Sequence, residues 1–140
     1  MKDTTLDPNL VEDPYPFQRH LGFYMVDWSQ DYARFELPVK EFLTNRYGIL
    51  HGGVYALMCD SVMGFAGCYT GDPENRKLGM TLSLTTNYVG QLKGDMLIAE
   101  GWKIGGGRKS YFCEAKITDE LCTLAATASG TFRYRSSSPA

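Results

Sequence analysis

An aspartate stands inside the most apolar segment of this chain, shortly after a pair of glycines. Residues 54–69 read VYALMCDSVMGFAGCY, and Asp60 is the only acidic or basic residue among them. A helix that is apolar on every side is normally buried, and burying a carboxylate without a partner costs several kcal/mol. Asp60 is therefore a candidate for chemistry. The alternative is a structural carboxylate that is hydrogen-bonded to Ser61 or to a loop N–H.

The glycine pair Gly52-Gly53 stands where this helix should begin, directly after His51. The first N–H groups of a helix have no partner inside the helix. They point out of its N-terminus, which is the positive end of the helix dipole. Such a pair can bind an anion or an oxyanion. The alternatives are that the glycines only allow tight packing at the helix start and that His51 only caps the helix.

Composition excludes several classes of function. The formal charge of -2 and the pI of 5.6 argue against a nucleic-acid-binding protein, because no dominant positive surface is expected. The four cysteines show no C-x-x-C spacing and only two histidines accompany them, so we predict no metal site and four buried, reduced thiols. No segment has the pattern of a signal peptide or membrane span. These features favour a cytoplasmic protein without cofactors.

The chain divides into a predicted arm (residues 1–16), one domain (17–135) and a frayed tail (136–140). The arm is acidic and contains prolines, so we expect it to be mobile or loosely docked. The predicted elements, in chain order, are a helical turn 16–21 ending at Gly22, strands 23–28 and 32–37, a helix from Gly52-Gly53 to about 70–73, and strands 78–88, 96–104, 109–118 and 121–134. Clean alternation in the third strand places Met80, Leu82 and Leu84 on one face and Thr81, Ser83 and Thr85 on the other.

One long apolar helix and about six strands predict an α+β fold in which a curved antiparallel sheet wraps the helix. A helix that is apolar on all sides needs cover on all sides. The sheet supplies one face, and the helix of a second copy could supply the other. The pattern therefore favours a homodimer.

The run Asn45-x-x-Gly48-x-x-His51-Gly52-Gly53, with Asp60 seven residues later, resembles the hotdog-fold thioesterases, specifically the phenylacetic-acid-degradation and acyl-CoA thioesterase group. The resemblance implies one long central helix wrapped by a curved antiparallel sheet of five to six strands. It also implies an acyl-CoA substrate with an aryl or medium-chain acyl group. The expected assembly is a homodimer that pairs further into a homotetramer.

The resemblance also assigns roles to five residues. Asp60 would activate water as a general base or attack the thioester carbon. The backbone N–H of Gly52 would polarise the carbonyl, with help from the Asn45 amide. Thr81 would help to hold the water, unless it is only a strand residue with high β-propensity. His51 would steer the loop or the thiolate leaving group.

A glycine-rich stretch, Gly105-Gly106-Gly107-Arg108-Lys109-Ser110, could suggest a phosphate loop, but Arg108 stands where a Walker loop needs glycine. A hairpin turn is the alternative. The resemblance implies that this turn, Gly53 and the strand ends from Tyr88 to Lys93 line the CoA groove. It places helix residues in the acyl pocket, although plain core is the favoured alternative for each of them: Met58, Met63, Phe65 and Tyr69.

Gly52 and Asp60 are eight residues apart, which on one helix is ~12 Å of rise. One chain therefore cannot bring both groups to the same thioester, whereas antiparallel helices from two chains could.

Two other functions stay open. A hotdog-fold hydratase or dehydratase would use His51 and Asp60 for proton transfer, and a non-catalytic acyl-CoA sensor would bind without turnover. The acidic arm and the lack of an obvious output segment argue against the sensor.

Overall fold

The computed structural model describes residues 6–135, which form two α-helices, a 3-10 turn and six β-strands. The predicted tail and the first five residues of the predicted arm lie outside the described residues. The elements are α1 (Pro16–Leu21), β1 (Tyr24–Ser29), β2 (Tyr32–Pro38), the 3-10 turn (Glu41–Leu43), α2 (Gly52–Ala66), β3 (Gly79–Tyr88), β4 (Met96–Gly106), β5 (Ser110–Asp119) and β6 (Leu124–Tyr134).

The six strands form one antiparallel sheet in the order β1-β2-β4-β5-β6-β3, and α2 contacts all of them. Strands lie about 4.8 Å apart, so six of them span more than twice the ~10 Å diameter of a helix. A flat sheet could not touch α2 along its whole width, so the sheet must curve around it. This is the α+β hotdog architecture that the sequence predicts.

The central strand β4 crosses α2 at Gly101, where the backbones approach closely. A Cβ atom at Gly101 would lie 2.8 Å from the backbone oxygen of Val62, so this contact requires glycine. Fully buried side chains on both sides of the crossing complete the core: Phe35, Leu37, Met58, Val62, Leu97 and Ile117. The crossing fixes which face of α2 turns toward the sheet.

The helix α2 ends at Ala66, one to two turns earlier than the sequence predicts. Gly67 follows as the C-cap, and its N–H donates to the backbone oxygen of Met63. A Cβ at Gly67 would lie 2.2 Å from the Tyr111 ring, so the chain passes beneath this ring where only glycine fits. Packing against Tyr111, which local sequence does not reveal, accompanies the early end of the helix.

The clean alternation predicted for β3 is wrong, because a β-bulge lies between Thr81 and Ser83. Thr81 pairs with Phe132 and Ser83 pairs with the next residue, Thr131, so Leu82 is the extra residue. Thr81 consequently shares the inner face of the sheet with the buried Phe132, while 59% of Leu82 is exposed. β3 is also an edge strand, and its outer side is unpaired in the single chain.

The turn between β5 and β6 is built around Asp119, which is 2% exposed. Its carboxylate accepts four backbone N–H groups, from Lys93, Gly94, Leu121 and Thr123, at 2.8–3.0 Å. Burial acts to raise the pKa of Asp119, but the N–H donors of Thr123, Gly94 and Lys93 outweigh it and lower the pKa well below the usual value. The turn delays the start of β6 to Leu124, whereas the sequence predicts 121.

The described part of the predicted arm lies against the domain. Leu10 is 6% exposed and belongs to the main hydrophobic core. Arg76 donates a hydrogen bond of 3.1 Å to the backbone oxygen of Leu10. Residues 6–15 therefore lie against the domain, and the mobility or loose docking expected from the acidic composition stays a prediction.

Candidate active site

Asp60 lies in the middle of α2, and its side chain meets β3. The hydroxyl of Thr81 donates a hydrogen bond of 2.6 Å to Oδ1 of Asp60. Thr81 can reach the helix because it occupies the inward position just before the bulge. The structure thus brings together two residues that the sequence separates by 21 positions.

The prediction that Asp60 is buried is wrong for the single chain, in which the side chain is partly exposed. It lies on a stripe of α2 that the chain's own sheet covers only in part, at a spacing of three to four residues: Gly53, Ala56, Leu57, Asp60, Ser61 and Gly64. These residues turn away from β4, whose crossing at Gly101 fixes the buried face. All except Asp60 are small or uncharged, so another apolar surface could pack against the stripe.

A cavity of about 310 Å³ opens beside Asp60 and Thr81. Trp28 and Phe65 contribute aromatic surface to it, with ring centroids 5.5 Å apart in an edge-to-face arrangement. Lys77 also lines the cavity, as does Arg135. The cavity therefore combines two carboxylates, Asp60 and Glu12, with cationic side chains and an apolar wall, which suits a polar reacting group attached to an apolar acyl group.

At the N-terminus of α2, one backbone N–H group lacks an acceptor. Gly53 N–H donates to Nδ1 of His51 at 2.8 Å, and Val54 N–H donates to the His51 backbone oxygen at 2.9 Å. The Gly52 N–H has no acceptor among the described residues. His51 is thus the N-cap of the helix, and Gly52 presents the free donor at its positive end.

Tyr88 holds this helix start from the end of β3. Its hydroxyl donates a hydrogen bond of 2.8 Å to the backbone oxygen of Gly52. Its ring also packs edge-to-face against Tyr55, with centroids 6.1 Å apart. The sequence predicts Tyr88 as a CoA-groove residue, and the structure places it directly beside Gly52.

Asn45 lies in the loop that leads into α2. Its side-chain oxygen accepts the Tyr47 N–H at 2.9 Å, and its backbone oxygen accepts the Gly48 N–H at 3.0 Å. Gly48 has a φ of 75°, which favours glycine in this tight turn. The Asn45 side-chain oxygen is therefore used locally, and only the amide nitrogen is available to polarise a carbonyl.

Gly52 and Asp60 belong to one uninterrupted helix, so about 12 Å of rise separates them within the chain. The Asp60 carboxylate is held by Thr81 on the side of the helix, whereas the Gly52 N–H points out of its end. A single chain does not place both groups around one carbonyl.

The two predicted CoA-binding segments lie at opposite ends of β5. Lys93 donates its backbone N–H to Asp119 at the last residue of the strand, whereas the glycine-rich turn precedes its first residue, Ser110. At about 3.4 Å per residue, these ends are some 30 Å apart. Gly105 and Gly106 belong to β4, so the turn itself comprises Gly107, Arg108 and Lys109, and it is a hairpin turn.

The predicted acyl-pocket residues divide into two groups. Met58 and Met63 are fully buried in the core and do not line the cavity, so their prediction as pocket residues is wrong. Phe65 lines the cavity, and Tyr69 lines a smaller one beside it. Sequence reasoning missed Trp28 and Lys77, because neither lies in a motif and each reaches the cavity only through the fold.

Within residues 6–135, the His, Cys, Asp and Glu side chains form no group of three that could hold a metal ion. Three cysteines are buried as predicted (Cys59, Cys68 and Cys113), but Cys122 is exposed in the β5–β6 turn. None of the described helices combines the length and apolar character that crossing a membrane requires.

Comparison with known proteins defines the class of this fold and site. The model of the thioesterase superfamily matches residues 47–126, which include Gly52, Asp60 and Thr81. The chain therefore belongs to the thioesterase superfamily and is a thioester hydrolase.

Individual relatives agree with this membership. A conserved protein from Pseudomonas aeruginosa has the same fold with a TM-score of 0.79 and 24% identity, covering 91% of this chain and 97% of its own. The 1,4-dihydroxy-2-naphthoyl-CoA hydrolase of Listeria monocytogenes is 25% identical over an alignment of 116 positions that covers 77% of this chain and 93% of the relative. A Streptococcus mutans protein whose crystal structure holds acetyl CoA has a TM-score of 0.70 and 25% identity, covering 81% and 88% of the two chains.

Proposed function

We propose that the protein hydrolyses an aryl- or medium-chain acyl-CoA thioester to the free acid and CoA, at sites that two copies of the chain build together. The observation that carries the proposal is the Asp60–Thr81 pair beside a cavity with aromatic walls. The relative named as a CoA hydrolase and the neighbour bound to acetyl CoA support acyl-CoA as the substrate class.

In the proposed site the thioester oxygen accepts the Gly52 N–H of one copy. Negative charge develops on this oxygen in the transition state, and a fixed donor at a helix N-terminus stabilises it. Removal of one such donor typically costs about 3–4 kcal/mol in rate terms. The amide nitrogen of Asn45 serves as a second donor from the preceding loop.

Asp60 of the other copy supplies the attack on the carbonyl carbon. It either takes a proton from a water molecule that attacks, or attacks itself to form an anhydride that water then opens. Both routes break the C–S bond, consume one water and release a carboxylic acid and the CoA thiol. The Thr81 hydroxyl donates its hydrogen bond to Oδ1 of the carboxylate, and Oδ2 faces the reacting group.

Two features support the pairing of copies. The stripe of α2 around Asp60 is only partly covered in one chain, and the edge of β3 beside it is unpaired. Antiparallel packing of two α2 helices would set Asp60 of one chain near Gly52 of the other. The same packing would set Tyr88 and Lys93 of one chain near the Gly107–Lys109 turn of the other, which provides one CoA groove from segments that a single chain holds apart.

Mixed assemblies of two inactive variants test the proposal. Asp60→Asn removes the base or nucleophile. Gly52→Pro removes the N–H while keeping the helix, because proline suits the first helical position and His51 before it is already extended. If sites are shared, a heterodimer of these variants contains one site with both native groups, and thiol release from acyl-CoA reappears.

The control is Asp60→Asn mixed with the double variant, which has no intact site in any arrangement. Each single variant alone should lose at least about 100-fold in kcat. Restoration in the mixed assembly, but not in the control, supports the shared site. An inactive mixed assembly whose dimers exchange subunits normally would exclude it, and wild-type protein that cleaves no acyl-CoA in a broad panel would exclude the substrate class.

The hydratase alternative receives less support from the geometry. It requires His51 and Asp60 to exchange protons with the acyl chain, but Nδ1 of His51 already accepts the Gly53 N–H at 2.8 Å. His51 therefore serves first to organise the helix start that presents Gly52.

A further inference from the structure

Within the predicted arm, the segment from Asn9 to Tyr15 is the part that borders the cavity, and 'the arm' below means these residues. One arginine binds its first half to the domain. Arg76 donates hydrogen bonds to the backbone oxygens of Leu10 at 3.1 Å and Asn9 at 3.5 Å. Its Nη1 also lies 3.2 Å from a carboxylate oxygen of Glu12. Leu10 is buried in the core, so the arm begins from a fixed point.

A second set of contacts fastens the other end of the arm. Arg19 donates a hydrogen bond of 2.7 Å to the backbone oxygen of Pro14. The Tyr15 ring packs edge-to-face on the buried Phe23, with centroids 6.1 Å apart. The residues between these ends span the surface beside the cavity that contains Asp60.

The arm contributes to the walls of three neighbouring cavities. Glu12 and Tyr15 line the 310 Å³ cavity that contains Asp60. A second cavity of about 120 Å³ lies beside it, and Val11, Glu12 and Pro14 form part of its lining. A third, of about 10 Å³, is lined by Leu10 and Glu12. Glu12 and Trp28 are common to all three.

We infer that the arm is the outer wall of the acyl pocket and that Glu12, held by Arg76, sets the largest acyl group the enzyme accepts. This inference rests on the proposed function, because it takes the cavity beside Asp60 as the place where the acyl group lies. Trp28 and Phe65 form the inner wall, and both also line the second cavity. Removal of the arm's side chains from the shared boundary would join the cavities and lengthen the pocket.

The charge of Glu12 strengthens this boundary. A methylene chain that reached Glu12 would displace water from its carboxylate. This desolvation is unfavourable, because the methylene chain cannot form a hydrogen bond in place of the water. Acyl groups that stop short of Glu12 avoid this cost. The wall therefore discriminates by length through its chemistry as well as through its volume.

The test is the length profile of hydrolysis for straight-chain acyl-CoA substrates from acetyl to palmitoyl. Glu12→Ala shortens the wall directly, and Arg76→Ala removes the hydrogen bonds and the ion pair that hold Asn9, Leu10 and Glu12. The ratio of kcat/KM for a long chain over a short chain should rise about tenfold in both variants, in line with the small discrimination per methylene that apolar pockets achieve. Arg133→Ala is the matched control, since Arg133 is exposed on β6 and lines none of the three cavities.

The outcomes separate the inference from the proposed function. If wild-type protein hydrolyses short acyl-CoA and both variants keep the wild-type length profile, the arm is not the wall and the inference fails. If both variants lose kcat/KM equally for acyl chains of every length, as expected when the arm is only structural, the inference also fails. If wild-type protein hydrolyses no acyl-CoA of any length, the proposed function itself fails.

Discussion

The hydroxyl of Thr81 and the carboxylate of Asp60 lie 2.6 Å apart, and this hydrogen bond links the edge strand β3 to the middle of α2. A bond to a carboxylate is among the stronger hydrogen bonds in proteins. It restricts the rotation of the Asp60 side chain and occupies one of its two oxygens. Thr81 is thus the positioning residue for the proposed base or nucleophile.

Thr81→Val should lower kcat for acyl-CoA hydrolysis by about 10- to 100-fold, since a hydrogen bond to a charged group is worth about 1.5–3 kcal/mol. Valine keeps the shape and β-propensity of threonine but cannot donate. Thr81→Ser keeps the hydroxyl and should retain most of the wild-type rate. Steady-state kinetics with free-thiol detection compares the two, and a valine variant with the wild-type kcat would remove Thr81 from the mechanism.

Gly52→Pro and Gly52→Ala separate the N–H group from the effect of adding a side chain. Both substitutions place a Cβ in ordinary contact with the Tyr88 ring, at about 3.4 Å. Only proline removes the donor, so kcat should fall about 100- to 1,000-fold in Gly52→Pro and much less in Gly52→Ala. Equal losses in the two variants would mean that the helix start matters only for packing.

The four cysteines should differ in their reaction with a disulfide reagent at about pH 8, where an unperturbed thiol is partly ionised. Burial, with a further contribution from Asp60, raises the pKa of Cys59 to about 12. Burial also raises the pKa of Cys113 to about 12 and that of Cys68 above its usual value. We expect one fast thiol per folded chain, Cys122, and four after denaturation; two or more fast thiols in the native protein would contradict this prediction.

Asp119→Asn should destabilise the protein by about 2–3 kcal/mol at pH 7, because an amide nitrogen would face backbone N–H groups that now donate to a carboxylate. The folded-state pKa lies below the unfolded-state value, so the carboxylate stabilises above about pH 4 and this contribution is lost as the pH falls. Urea unfolding should therefore show a smaller difference in the free energy of unfolding between wild type and Asp119→Asn at about pH 3 than at pH 7.

Glu114→Gln is the control for that measurement, since Glu114 is exposed on the same strand. It should change the free energy of unfolding by no more than about 0.5 kcal/mol at either pH. A difference between Asp119→Asn and wild type that stays constant across the acid range would show that the charge of Asp119 does not contribute to stability.

The local sequence was sufficient for the elements whose signals are local. The helical turn ends at Gly22 as predicted, with a φ of 90° that favours glycine, and α2 begins at the Gly52-Gly53 pair with His51 as its cap. The strands were found because alternation and turn residues are short-range patterns. The bulge after Thr81 escaped prediction, since an extra residue in one strand shows only when its partner β6 is known.

The candidate site shows the same division. The motif around His51 and the isolated charge of Asp60 are properties of the sequence alone, and they indicated the chemistry and the family. The approach of Thr81 to Asp60, the cavity bounded by Trp28 and Lys77, and the docking of the arm through Arg76 depend on contacts between residues far apart in the chain. Only the tertiary structure decided these, because long-range packing determines which of many possible neighbours a side chain meets.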